Sequence, residues 1–231
     1  MPVPADAVSA HFQNPSTLHD SISPTALPLS PACQKRRAQI IKGAGKVFLR
    51  LGYEGASMSV IAREAGVSKG ALYNHFVSKA ELFTAFFEDT CRTKLDAIES
   101  LPRTNDVPLQ AALEEAALML ITMLSDAIAL GLYRIIVGEA EHFPHLADTF
   151  WRYAYARTLG GLARWFEARM ALSPELLAIE DPYLAAEQFC MMCQTRIIQR
   201  KRFMLPVDDS PQAIQAIAQL TARSFMRIHA P

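Results

Sequence analysis

The residues best suited to chemistry lie between Ser57 and Lys79, where hydroxyl, cationic, aromatic and small side chains recur at helical spacing. The run Lys69-Gly70-Ala71-Leu72-Tyr73-Asn74-His75-Phe76 divides into two faces. Leu72 and Phe76, four residues apart, share one face and are expected in a core. Lys69, Gly70, Ala71, Tyr73 and Asn74 are left on the other, a set suited to DNA. Lys69 can donate to guanine acceptors or to phosphate, Gly70 admits close backbone approach, and Ala71 can touch a thymine methyl. Tyr73, His75 and Lys79 suit phosphate oxygens, which fix register rather than sequence preference. Ser57 and Ser59, at the start of the preceding helix, offer hydroxyls and backbone amides to phosphate as well.

Other chemistry-bearing groups are weaker. Cys190-Met191-Met192-Cys193 puts two thiols on one helical face, but a metal site needs two more ligands and no second such pair follows. A thiol-based redox sensor is one alternative reading, although Arg196 is the one nearby cation that could lower a thiol pKa. Glu139, Glu141, His142 and His145 hint at a metal cluster. Pro144 separates the two histidines, however, and the second Glu-x-x-His of a di-iron bundle is missing, so no metal is expected. No Gly-rich phosphate loop, nucleophile elbow or HExxH occurs, so neither a catalytic residue nor a cofactor is expected.

The elements that must position these groups are helices. From Cys33 to Arg50 the residues Ile40, Ile41, Ala44, Val47, Phe48 and Leu51 form one apolar stripe that Gly52 stops. Ser57 is placed to cap a short helix ending at Gly66, Ser68 to cap a third over Lys69 to Phe76, and Ser78 to open a fourth that runs to about Ser100. Further helices are expected at about 108–125, 126–142, 145–171, 181–204 and 211–229, with prolines at their margins. No stretch alternates with period two. The expected fold is all-α, with a disordered leader over 1–31, a three-helix helix-turn-helix DNA-binding domain over 32–80, and a helical ligand-binding and dimerisation domain over 81–231.

Charge supports that division. The 231-residue chain is formally neutral, yet residues 32–80 carry nine basic side chains against two acidic ones, while 81–231 carry 14 basic and 19 acidic. A segment of net +7 followed by one of net −5 places DNA attraction in the head and phosphate repulsion in the body. Four cysteines, unevenly placed, do not make a secreted disulfide framework. No apolar run reaches the roughly 20 residues of a membrane span, so a cytoplasmic protein with no membrane partner is expected.

The residues Ile61-Ala62, Ala65-Gly66-Val67-Ser68-Lys69-Gly70, Leu72-Tyr73, His75-Phe76 and Ser78-Lys79, with the preceding Gly52-Tyr53 turn, resemble the TetR family of bacterial regulators. The resemblance covers about 50 residues. It implies a homodimer of all-α subunits that binds double-stranded operator DNA and carries a variable C-terminal ligand-binding domain. Many members have an acidic residue where this chain has Val60 and a longer polar or basic one where it has Ser59, so the capping box is absent. Tyr133 to Glu141 and Phe143 to Ala147, with Phe150 beyond, are similar to the AefR-like group of C-terminal domains. That likeness implies a repressor released by a small hydrophobic effector. The competing reading of the charge is a nonspecific architectural DNA-binding protein.

Within the body, adaptable methionine and aromatic side chains suit a lipophilic effector. The candidates are Met119, Met123, Tyr133, Phe143, Trp151, Tyr155 and Met192. The last two long helices suit dimerisation in a four-helix bundle, through Ala185, Phe189, Ala213, Ile217, Leu220 and Phe225.

Overall fold

The computed structural model describes residues 30–99, 101, 106–174 and 177–230, and the regular structure among them is entirely helical. The leader expected over 1–31 lies outside the described residues as far as position 29. Contacts gather Arg36–Pro231 into one compact unit. Apart from the first turn of the first helix, that unit holds everything discussed below.

The first helix, α1 (Pro31–Leu51), buries Ile40, Ile41, Ala44, Val47 and Phe48, the stripe expected from sequence. It ends at Gly52, whose φ of +75° lets its N–H close on the Phe48 carbonyl at 2.9 Å. Helix α2 (Met58–Glu64) starts at Ser57, which accepts the Val60 N–H, and α3 (Lys69–Tyr73) starts at Ser68, which accepts the Ala71 N–H. Between them Gly66 takes φ +65°, and the amides of Gly66 and Val67 return to the carbonyls of Arg63 and Ala62. That paired closure fixes the angle between the two short helices. Helix α4 (Lys79–Glu99) is opened by Ser78, whose hydroxyl accepts the Glu81 N–H while the Glu81 carboxylate accepts the Val77 N–H.

Beyond Leu101 the chain forms α5 (Leu109–Ser125), α6 (Ala127–Glu139) and α7 (Pro144–Phe150). A π-helical turn over Trp151–Tyr155 joins α7 to α8 (Ala156–Leu172), where one continuous helix is expected from sequence. Another interruption divides the expected 181–204 helix into α9 (Pro182–Cys193) and α10 (Ile197–Arg202). Arg196 sits there at φ 59°, ψ −72°, with the Ile197 N–H donating to the Thr195 carbonyl at 2.7 Å. This is a γ-turn of the strained, positive-φ kind. Helix α11 (Pro211–Ile228) completes the chain.

Two apolar cores result. One gathers Phe48, Tyr53, Leu72, Phe76, Phe83 and Phe86 of the head together with Leu132, Ile135 and Ile136 of α6 and Leu146 of α7. The other gathers α5, α8, α9, α10 and α11 around Trp165, Phe166, Phe189 and Phe225. In it Phe166 and Phe225 stack at 4.8 Å and Phe189 meets both edge-on. No single helix among the described residues is long and apolar enough to cross a membrane, and α5 with α6, which reach that length together, meet at a 66° bend.

Candidate nucleic-acid interface

The helix expected over Lys69 to Phe76 ends at Tyr73, but α3 and the three residues after it show the two expected faces. Leu72 and Phe76 are completely buried, while Lys69, Gly70, Tyr73 and Asn74 are exposed and Ala71 is half-buried. A Cβ added at Gly70 would meet nothing within 4 Å, so the backbone there is open to an approaching partner. Tyr73 is 44% exposed, and the Lys69 ammonium lies 6.0 Å from its ring centroid. Ser57 and Ser59 are exposed at the start of α2. His75 is half-buried beside the buried end of this face.

The scaffold beneath is fixed by polar contacts that the helical period does not reveal. Gln39 of α1 donates to the Ala65 carbonyl at 2.6 Å, holding the end of α2. Lys46 and Arg50 both reach the Glu64 carboxylate at 3.4 Å, and these cations hold it below the usual carboxylate range. Arg37 lies over the Phe76 ring at 4.8 Å. Part of the +7 charge of this segment therefore ties its helices together.

Lys79, expected on phosphate, is arranged differently. Its ammonium donates to the carbonyls of Tyr53, Glu54 and Ala56 at 2.8, 3.2 and 3.0 Å, and sits 4.4 Å from the Tyr53 ring centroid. All three N–H donors are thereby used within the protein. Burial pulls its pKa down, while Glu139 and Glu54 oppose that. Lys79 thus caps the α1–α2 turn, with its three donors turned to carbonyls rather than left free toward phosphate.

The same turn is held from the body. The Glu139 carboxylate accepts the N–H of Tyr53 at 2.8 Å and that of Glu54 at 2.6 Å. The Tyr53 hydroxyl lies 2.9 Å from His145 Nε2, and burial together with Glu139 raises its pKa. Glu139 and His145, grouped in sequence with Glu141 and His142, are thus turned to the head. Glu141 and His142 are exposed, and no group of three metal-ligating side chains occurs among the described residues.

The seven effector candidates are not all neighbours. Met119, Met123, Tyr155 and Met192 border the body core. Tyr133 lies under the Arg202 guanidinium at 3.8 Å, Phe143 belongs to the head core at 4.9 Å from Tyr53, and Trp151 is 42% exposed, 4.9 Å from Tyr155. Four of the seven thus pack against the body core, and Trp151 adjoins one of them, Tyr155, while Tyr133 and Phe143 lie elsewhere. Met192 also lines an open groove of about 490 Å³ with Leu184, Glu187, Gln188, Met191 and Ile228. Burial pushes the Cys190 thiol up to about 12 and raises Cys193 well above the ordinary thiol value, the opposite of what a reactive thiolate requires. Of the expected dimer residues, Ala185, Phe189 and Phe225 are spent in the core of the subunit itself, whereas Leu220 is exposed and Ala213 and Ile217 are half-buried.

Comparison with known proteins follows the same lines. The family model "Bacterial regulatory proteins, tetR family" matches residues 40–86, and the model "AefR-like transcriptional repressor, C-terminal domain" matches residues 111–231. The transcriptional activator FasR of Mycolicibacterium smegmatis is 40% identical over 83 residues, 35% of this chain and 38% of FasR. The matched segments span between 29% and 40% of the curated relatives' own lengths. A TetR-family regulator from Mesorhizobium loti superposes with a TM-score of 0.77 at 27% identity, over 86% of this chain and 98% of that one. The flavonoid-responsive regulator FrrA gives 0.73 at 28% identity with the same coverage. From its helix-turn-helix, its all-helical body and both matching family models, the chain belongs to the TetR family of DNA-binding transcriptional regulators, with a C-terminal domain of the AefR-like type.

Proposed function

We propose that this protein is a ligand-responsive repressor that binds a palindromic operator as a homodimer and is released by a small hydrophobic effector. The observation that carries the reading is the division of α3 and the turn after it, with Leu72 and Phe76 anchored in the core and Lys69, Gly70, Tyr73 and Asn74 turned to solvent. A short helix anchored along one side presents its other side to the major groove in a fixed orientation. Lys69, Gly70 and Ala71 read bases; Ser57, Ser59, Tyr73, Asn74 and His75 contact the sugar-phosphate backbone or adjacent edges.

Dimerisation through α9 and α11 is supported by the exposed apolar side chains Leu184, Met191, Leu220 and Ile228 on those two helices. Repression is favoured over activation by the AefR-like repressor description of the domain over 111–231. An apolar effector is supported by the methionine and tyrosine side chains Met119, Met123, Tyr155 and Met192 bordering the body core. The flavonoid response named for FrrA is consistent with that chemical class. The effector favours an arrangement in which the two heads no longer match successive major grooves, and by reciprocity operator DNA weakens effector binding by the same factor.

Selection from a random duplex library tests the reading. Recovery of an inverted repeat with half-sites about 34–36 Å apart, one helical turn, is expected for a dimer of such heads. A pool without any enriched motif would mark a nonspecific architectural binder.

A further inference from the structure

Glu139 occupies a place that local helix energetics disfavours. It is the last residue of α6, whose final turn holds no basic side chain, so its negative charge lies at the negative end of the helix. What compensates it comes from the head. Its two oxygens accept the consecutive amides of Tyr53 and Glu54, 86 and 85 residues away in sequence. A Cβ at Gly52 would stand 2.6 Å from Glu139 Oε1, so a side chain there would push the carboxylate off its two amides, in addition to the strain of φ +75°. A residue that violates a local rule while being met by a shaped receptor marks a functional constraint.

The turn that Glu139 grips is the one that sets α2. Its amides at Tyr53 and Glu54 are held by the body, and its carbonyls at Tyr53, Glu54 and Ala56 are held by Lys79 at the start of α4. Ser57 follows immediately as the cap of α2, and α2 is locked to α3 through the Gly66 closure. The Tyr53 side chain adds a third tie, through its hydroxyl to His145 and its ring to Phe143 at 4.9 Å. The end of α6 is therefore tied to the turn before α2 by direct hydrogen bonds, beside the apolar packing of Leu132, Ile135 and Ile136 in the head core.

We propose that Glu139 is the positioning residue through which the body sets the orientation of the α2–α3 unit, its paired hydrogen bonds forming in the operator-bound arrangement and breaking together in the released one. This rests on the two-arrangement reading above.

Hydrogen exchange on the full chain, with and without a duplex recovered by selection, tests it. In the wild type the duplex is expected to slow exchange across residues 127–146 by about 5-fold or more, the lower end of ordinary allosteric coupling. Glu139→Gln keeps one acceptor but sets an N–H against one of the two amide N–H groups of Tyr53 and Glu54. Duplex binding is then expected to protect residues 57–76 as before while the response over 127–146 is lost. Glu139→Ala, which removes both acceptors along with the unfavourable charge at the helix end, is expected to lose that response as well and serves if Glu139→Gln does not fold. A wild-type-sized response in the variant that folds would overturn the role of Glu139 while leaving the two-arrangement reading intact. Absence of any body response in the wild type would overturn both.

Discussion

The Lys79 ammonium lies 2.8 Å from the Tyr53 carbonyl oxygen and 4.4 Å from the centroid of the same residue's ring. One side chain thereby caps the α1–α2 turn and covers the aromatic that joins head to body. Lys79→Met retains much of the apolar stem and removes the charge. It is expected to cost about 1–3 kcal/mol of stability, the range for leaving buried acceptors unsatisfied. Thermal unfolding reads that loss. The slope of log affinity against log salt is expected to stay unchanged, whereas loss of a phosphate contact lowers it by about 1.

Tyr73 gives the opposite pattern. Its ring is 44% exposed and no turn depends on its hydroxyl. Tyr73→Phe is expected to leave the melting temperature within about 1 °C, as surface changes usually do. Operator affinity should fall by roughly 3- to 10-fold, equivalent to one lost hydrogen bond. The fall should be similar across operator variants, since a phosphate contact carries no base preference. Fluorescence anisotropy on a panel of half-site variants measures both properties.

Cys190 and Cys193 are expected to resist alkylation at pH 8 in the native protein and to react at once in urea. Burial raises the Cys190 pKa from the ordinary 9.0 to about 12. The folded state therefore holds a proton that the unfolded state has released. Its contribution to stability is full below pH 9 and is lost as pH rises toward 12. Urea titrations between pH 8 and 11 should show a steeper alkaline decline for the wild type than for Cys190→Ala. Rapid native labelling of Cys190 would instead restore the redox-sensor reading.

Arg196 holds a positive-φ γ-turn that a side chain disfavours. Arg196→Gly is expected to relieve about 1–3 kcal/mol of strain, offset by about 0.5–1 kcal/mol of added unfolded-state entropy. The net effect is a melting temperature higher by a few degrees, taking about 2–4 °C per kcal/mol for a chain of this size. Differential scanning calorimetry decides the sign, and a lower transition would show that the turn is unstrained.

The head was legible because its signals are local. Gly52 and Gly66 mark positive φ, Ser57 and Ser68 mark caps, and the four-residue spacing of Leu72 and Phe76 marks the buried side of α3. The break at Gln194 to Arg196 was not, since neither glycine nor proline announces it. There the buried Gln194 side chain turns back to the Cys190 carbonyl at 3.0 Å and the chain reverses at Arg196. The π-helical turn at Trp151–Tyr155 likewise lacks any marker residue. The charge of Lys79 is visible in sequence and its partners are not, so sequence alone points it at DNA. Three carbonyls more than 20 residues upstream decide its role. Glu139 illustrates the same limit over a longer reach, because contact between it and Tyr53 is a property of how α6 lies against the turn.

The central claim is that α3 reads sequence rather than phosphate alone, and competition binding addresses it most directly. A selected duplex and a scrambled duplex of equal length and composition compete for the full chain at one fixed salt concentration. A preference of roughly 10³-fold or more for the selected duplex is expected of a specific regulator. Equal competition by the scrambled duplex would contradict the account.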